Sequence, residues 1–170
     1  ELILDSLRWL GLDWDEGPEV GGAYGPYSQS ERLPIYQKWA TWLVANGHAY
    51  HCYCSQARLE QMRLEQQIRK QPPGYDRKCR FMSESERKAH EASGVVPVIR
   101  LAVPLTGSTT YHDLLHGDIT FDNEKIDDQV LLKSDGFPTY HLAVVVDDHE
   151  MAITHITRGD DWISSGPKHA

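Results

Sequence analysis

The sequence predicts an α/β chain, a parallel-sheet domain of the doubly wound kind interrupted by an inserted α+β unit. Three observations carry that expectation. An amphipathic helical stretch runs directly into a short aromatic strand, His48 to Tyr53. At Cys52-Tyr-Cys54 the character changes, first to a charged helical run and then, from Val95, to short β-branched strands. From Gly136 an apolar helix returns, followed by an apolar strand-like run. The resulting boundaries are 1–51 for the first half of the parallel-sheet domain, 52–133 for the insertion and 134–170 for the start of the second half.

A chain of 170 residues is long enough for one domain carrying a smaller insertion. No run reaches the apolar length that spans a bilayer and no charged-then-apolar leader opens the chain, so a soluble protein without a membrane role is expected. Three cysteines, two of them one residue apart, fit a reducing, cytoplasmic setting. Because Glu1 already stands inside a helical pattern, the sequence reads as a piece of something longer. The net charge of −8 argues against a generic nucleic-acid binder. Yet Ser55 to Glu91 holds nine Lys/Arg against six Asp/Glu, a local balance of +3 that leaves −11 for the remainder. Only the middle of the chain is friendly to phosphate, and on charge alone it reads as a solvated helical hairpin.

The first helix, Glu1 to Leu10, has Leu2, Ile3, Leu7 and Leu10 on one face, with Gly11 where a left-handed C-cap belongs. Four glycines and two prolines between Gly17 and Pro26 then predict an ordered loop or lid. A strong helix follows over roughly 31–45, with Ser30 as its N-cap and Gly47 closing it. Past the cysteine pair, Ser55 to Lys70 is helical until Gln71-Pro-Pro-Gly74 breaks it. Strands are expected over 96–103, 109–115, 117–121 and 128–133. Arg100 alternates among apolar neighbours and reads as an outward-facing strand residue.

Thiolates suit zinc, and Cys52, Cys54 and Cys79, the last brought back by the helical hairpin, make three quarters of a tetrahedral site. The fourth ligand is open between Tyr75, one turn before Cys79, and His51, beside Cys52 on a strand. The competing reading is three free cysteines without a metal.

In the returning segment, Pro138 is placed to open a helix, Tyr140 lies early in it, and Leu142 to Val146 pack beneath the sheet. Arg158 is expected at the carboxyl end of an apolar strand, Met151 to Thr157, where open α/β sheets place their ligands. Its guanidinium suits forked binding of a carboxylate. Asp160 and Asp161 open the next helix, where acids complement the helix dipole. Asp147, Asp148 and His149 have the composition of a metal site.

Five blocks then carry a resemblance: Leu7-Arg-Trp-Leu-Gly-Leu-Asp-Trp-Asp-Glu-Gly-Pro18, Gly25-Pro-Tyr-Ser-Gln-Ser-Glu-Arg32, Ser134-Asp-Gly-Phe-Pro-Thr-Tyr140, Val146-Asp-Asp-His149 and Thr154-His-Ile-Thr-Arg-Gly159. Together, and in this order across essentially the whole chain, they resemble the glutamyl-tRNA synthetases of bacterial or organellar type. The resemblance implies a class I catalytic domain, a Rossmann-type nucleotide fold interrupted by a connective domain that holds the tRNA acceptor end. It implies activation of L-glutamate with ATP and Mg2+ as glutamyl-adenylate, transfer to tRNA(Glu), and a monomeric enzyme. Residue by residue, it gives Tyr140 and Arg158 to the glutamate, with Val144 adding shape, and Asp161 with Trp162 to ATP. Asp147, Asp148 and His149 become scaffold. The possible zinc set is Cys52, Cys54, Tyr75 and Cys79. No residue is assigned as a chemical base or nucleophile, because the substrate carboxylate itself attacks the α-phosphate and the protein positions and stabilises charge.

The sequence departs from the family in holding neither class signature, the His-x-Gly-His type motif or the Lys-Met-Ser-Lys-Ser type loop, which in family order precede Glu1 and follow Ala170. Two other readings are a glutamyl-queuosine-type paralogue, disfavoured by the length of the insertion, and a non-catalytic zinc-containing module that binds the tRNA acceptor stem. The 170 residues alone are expected not to catalyse adenylation at a normal rate; glutamate-dependent pyrophosphate exchange by them near the rate of a full-length enzyme would overturn that.

Overall fold

The computed structural model describes residues 2–170; Glu1, with which the first predicted helix opens, lies outside them. Helix α1 spans Leu2–Trp9. It ends as its glycine predicts: Gly11 takes φ +72° and the Leu12 amide donates back to the Leu7 carbonyl at 2.9 Å. The glycine-rich loop that follows is ordered. Gly17 and Gly21 bridge each other, and the Glu16 carboxylate accepts from the Tyr24 amide and the Tyr27 hydroxyl.

Helix α2 spans Leu33–Ala45 and buries Tyr36 and Ala40 completely. Ser30 does not cap it; its hydroxyl meets that of Ser28, and Arg32 occupies the cap position without a side-chain capping bond. Pro34 in the first turn has no amide hydrogen, so one fewer donor needs a cap there. Gly47, at φ +79°, releases the chain into β1, Ala49–Cys52.

Strand β1 pairs antiparallel with β2, Val98–Leu101, and β2 pairs antiparallel with β5, Val130–Leu132, giving the order β1-β2-β5. Strands β3, Ser108–Asp113, and β4, Gly117–Asp122, form a separate hairpin. Every ladder among the described residues is therefore antiparallel. The strand expected at the end of the first half joins the strands expected within the insertion.

Helix α3, Gln56–Ile68, is capped by the Ser55 hydroxyl. Helix α4, Glu84–Ala92, was not expected, although Ser83-x-x-Glu86 is a capping box in which each side chain satisfies the other's backbone amide. Helix α5, Tyr140–Glu150, begins two residues later than Pro138 suggested. The Thr139 amide and hydroxyl both donate into β5, at 2.7 Å to Leu131 and 2.8 Å to Val130, which holds the preceding chain extended and bridges Pro138 to Leu132.

The run Met151–Thr157 is not a strand. Ala152, at φ +54°, terminates the helix, and no regular element forms before Gly159. Ile153 and Ile156 are exposed, and no described strand lies beside the run to pair with it. A 3-10 helix over Asp160–Ser165 and the single-turn α6, Gly166–His169, complete the chain. No described helix is long and apolar enough to cross a membrane.

One core holds the two longest apolar helices on the three-stranded sheet: Tyr36 and Ala40 from α2 meet Leu142, Ala143 and Val146 from α5, over Ala49, Ile99 and Leu131. A polar brace runs through it. The Arg32 guanidinium, 1% exposed, donates from Nε to Asp147 Oδ1 at 2.7 Å and from Nη1 to the carbonyls of Pro26 and Tyr24, at 2.9 and 3.3 Å. The Tyr36 hydroxyl donates to the same carboxylate at 2.9 Å, and burial beside that carboxylate pushes its pKa up to about 12. Asp147 is thus a scaffold acid, and His149 packs edge-on against Trp39. Replacing Asp147 with alanine would leave Arg32 buried and unpaired; Asp147→Ala is expected to cost about 3 kcal/mol, read as a lowered urea midpoint with an unchanged slope.

Candidate functional site

Tyr140 is the first residue of α5, and its ring stays 47% exposed. The Trp162 ring, from the 3-10 helix, lies 4.8 Å away, centroid to centroid. The Arg158 guanidinium sits 5.5 Å from the centre of each ring. It also approaches His169 Nδ1 through Nη1, at 3.2 Å. Among the described residues no carboxylate comes within ion-pair distance of Arg158. A guanidinium with two adjacent aromatic rings on one side and one imidazole in contact has most of its five donors free. Such a group is free to pair with an anion.

Val144 lies one turn beyond Tyr140 on α5 and is half-buried. Asp160 and Asp161, both expected to open a helix, differ in their surroundings. The Asp160 carboxylate meets His116 Nε2 at 3.2 Å, at the tip of the β3–β4 hairpin. Asp161 is exposed and folds back over Gly159, so close that a Cβ on that glycine would stand 2.6 Å from its Oδ1. The hairpin also anchors this segment at its other end. The Tyr111 hydroxyl donates to the Ile163 carbonyl at 2.8 Å, and the ring lies where a Cβ on Gly166 would fall, at 2.2 Å. A glycine is required there by the close approach of the ring.

The second constellation lies at the far end of β1. Cys52 and Cys54, two residues apart on extended chain, face the same way, and the turn carrying Cys79 brings a third thiol to them. The three sulfurs lie within 4.8 Å of one another. The Tyr75 hydroxyl is 3.3 Å from both Cys52 Sγ and Cys54 Sγ and accepts the Cys79 amide at 3.1 Å. His51, by strand alternation, faces away and is not in the cluster. Tyr75 is therefore the fourth group that geometry brings in. Hydrogen bonds from Cys79 hold the Cys52 thiol down, to about 4, while burial pushes the Tyr75 phenol up and keeps it a donor to the thiolate.

Arg100, expected to face outward, is instead buried, its guanidinium 3.9 Å above the Tyr75 ring and its Nη1 donating to the Asp128 carbonyl at 2.9 Å. Alternation placed it on the other face; the ring and the carbonyl make that face habitable for a cation. Asp128 is fully buried and takes Arg77, Arg80 and the Tyr50 hydroxyl on its carboxylate. It ties the cysteine-bearing turn to all three strands of the sheet. Neither residue carried a signal in the sequence beyond its charge. An open hollow of about 710 Å³ in the loop before α2, lined by Gly17, Gly22, Pro26 and Tyr27, contains none of the predicted site residues.

The family model of the tRNA synthetases class I (E and Q), catalytic domain, matches residues 1–170. The chain belongs to this family. A glutamate--tRNA ligase of Dehalococcoides mccartyi strain CBDB1 is 58% identical over 169 residues, which are 99% of this chain and 33% of that protein. The Fusobacterium nucleatum glutamate--tRNA ligase is 55% identical over 99% of this chain and 33% of its own length. The glutamate-tRNA synthetase structure from Elizabethkingia anophelis superposes with a TM-score of 0.92 at 36% identity, over 98% of this chain and 35% of that one. A glutamate tRNA ligase from Elizabethkingia meningosepticum, solved in complex with its amino acid, matches equally well. The chain thus spans about a third of the relatives it matches. Its fold class is that of the class I catalytic domain, a Rossmann-like α/β fold, of which this third contributes the antiparallel strands and the helices packed on them.

A methyl group at position 166 would displace the Tyr111 ring from the Trp162 segment. Gly166→Ala is expected to lower stability by about 1–3 kcal/mol and to shift Trp162 fluorescence, measured in thermal melts and emission spectra.

Proposed function

We propose that the chain supplies the glutamate-facing wall of a glutamate–tRNA ligase that joins L-glutamate to tRNA(Glu) through glutamyl-adenylate, with ATP and Mg2+ as the substrate complex. The observation that carries this reading is Arg158, an anion-binding group with no anion of its own among the described residues, set beside an exposed tyrosine in a chain whose relatives are glutamate–tRNA ligases. Arg158 would take a glutamate carboxylate by forked, charge-assisted bonds, and Tyr140 would donate its hydroxyl beside it. Val144 would border the amino acid by shape alone. Asp161 and Trp162 would face the nucleotide.

In the activation step a glutamate carboxylate oxygen attacks the α-phosphorus of ATP; the new O–P bond forms as the bond to pyrophosphate breaks. No group of this chain need give or take a proton. What it supplies is direction: a fixed guanidinium and a fixed phenol hold the amino acid while its other end reacts. The units 1–51, 52–133 and 134–170 would correspond to the two catalytic segments and the acceptor-end domain between them. The substrate partners would be the tRNA acceptor end, glutamate and ATP, in a cytoplasmic monomer.

The donor set at the end of β1 fits zinc. Three thiols within 4.8 Å of one another, with a phenol oxygen at 3.3 Å from two of them, match the ligand number of a tetrahedral zinc site, and the thiols match its softness. Cys52, Cys54, Cys79 and Tyr75 would hold it, and the ion would supply a cross-link between β1 and the Tyr75–Cys79 turn. Neither substrate contact nor chemistry is routed through it.

Lysine at position 158 would keep the charge and lose the fork. In a full-length enzyme carrying this sequence, Arg158→Lys is expected to raise KM for glutamate by about a hundredfold with KM for ATP little changed, in pyrophosphate exchange; an unchanged glutamate KM refutes the assignment. Metal analysis after anaerobic, chelator-free purification should find one zinc per chain, lost in Cys79→Ser, and stoichiometric absence from the parent refutes the metal.

A further inference from the structure

Arg158 is aimed by something, since two adjacent rings on one side of the guanidinium, each 5.5 Å from it, do not fix its direction. The contact that removes this freedom comes from α6. His169 Nδ1 lies 3.2 Å from Arg158 Nη1, and its other nitrogen, Nε2, lies 2.9 Å from His141 Nδ1 in the first turn of α5.

The donor directions along this chain of groups follow from its end. A guanidinium can only donate, so His169 Nδ1 must accept. A neutral imidazole that accepts at Nδ1 carries its hydrogen on Nε2, so His169 donates to His141 Nδ1. That nitrogen in turn must accept, which places the His141 hydrogen on its own Nε2. Both tautomers are set by Arg158.

We propose that His169 is the positioning residue for Arg158, a neutral acceptor that points the guanidinium at the incoming carboxylate, with His141 holding His169 in the tautomer that can accept. This rests on the reading of Arg158 as the glutamate ligand. The support is rigid: α6 is seated by buried Ser165 and Pro167 and by Gly166 under the Tyr111 ring.

The charges that face His169 are all unfavourable to a second cation. Arg158 lies ahead of it, His141 beside it and Lys168 behind it, and burial with these neighbours pushes its pKa down to about 4. Asp148, on α5, feels the charge of Arg158 and, itself half-buried, has its carboxyl pKa raised by burial. His169 is accordingly neutral, and an acceptor, at working pH.

The test compares three variants in a full-length enzyme carrying this sequence. Asparagine places its side-chain oxygen near the position of Nδ1, whereas the amide of glutamine reaches toward Nε2. His169→Asn should therefore hold KM for glutamate within about twofold, while His169→Gln and His169→Ala raise it about tenfold, all with KM for ATP unchanged. Wild-type KM for glutamate should show no inflection between about pH 6 and about pH 8. Equal losses in the asparagine and glutamine variants that follow their melting temperatures would mark a packing residue and overturn the proposal. So would unchanged glutamate KM in all three, or a wild-type inflection abolished in His169→Asn. Arg158→Lys separates the two levels: if it too leaves glutamate KM unchanged, the glutamate-site reading fails with the proposal, and if it alone raises KM, only the positioning role of His169 falls.

Discussion

The bond between Arg32 and Asp147 is the constraint on which the rest depends. The two residues are 115 positions apart, and one of them is almost completely sealed from water. An arginine so placed needs partners inside the protein, and Nε and Nη1 find them on two segments, the carboxylate on α5 and two carbonyls of the glycine-rich loop, while the Tyr36 hydroxyl of α2 donates to the same carboxylate. Because α5 is held in this way, Tyr140 at its start has a fixed direction. Asp147, which looked like a metal ligand, holds the helix that begins at Tyr140.

The remaining wall of the site is held from a different direction. The β3–β4 hairpin, far from Tyr140 in sequence, reaches the 3-10 segment twice, through Tyr111 and through His116, and so sets where Trp162 and Asp161 stand relative to α5. Arg158 occupies an irregular stretch between these two supports, with its side chain fixed by aromatic faces and by α6. A loop arginine with borrowed rigidity can be both ordered and unpaired, which a carboxylate-binding group requires. At the other end of the sheet, Asp128 gathers Arg77, Arg80 and Tyr50 and keeps the cysteine-bearing turn against β1.

Much of this was legible from residue order. The glycines at 11 and 47 ended helices where their left-handed conformations were expected, the alternation of apolar residues located all five strands to within a few positions, and the cysteine spacing found the thiol cluster. Tyr140 and Arg158, taken from separate blocks, are brought together with Trp162. Periodicity failed where the decisive partner was remote. Met151 to Thr157 has the composition of a strand and no neighbour to pair with, and Arg100 was sent to the wrong face because nothing local announces that a tyrosine ring will cover it. Helix α4 was missed although its capping box was in plain view.

The sequence by itself determined the local grammar and the family: propensity, caps and glycine turns act within a few residues, and five ordered blocks are specific enough to name a relative. Tertiary structure alone decided which charges became neutral scaffolding and which stayed available. Asp147, Asp128 and Arg100 are consumed by buried partners, whereas Arg158 meets only rings and an imidazole. The difference between a brace and a binding site is whether an opposite charge lies within a few ångströms, and that distance is set by the packing of segments remote in sequence.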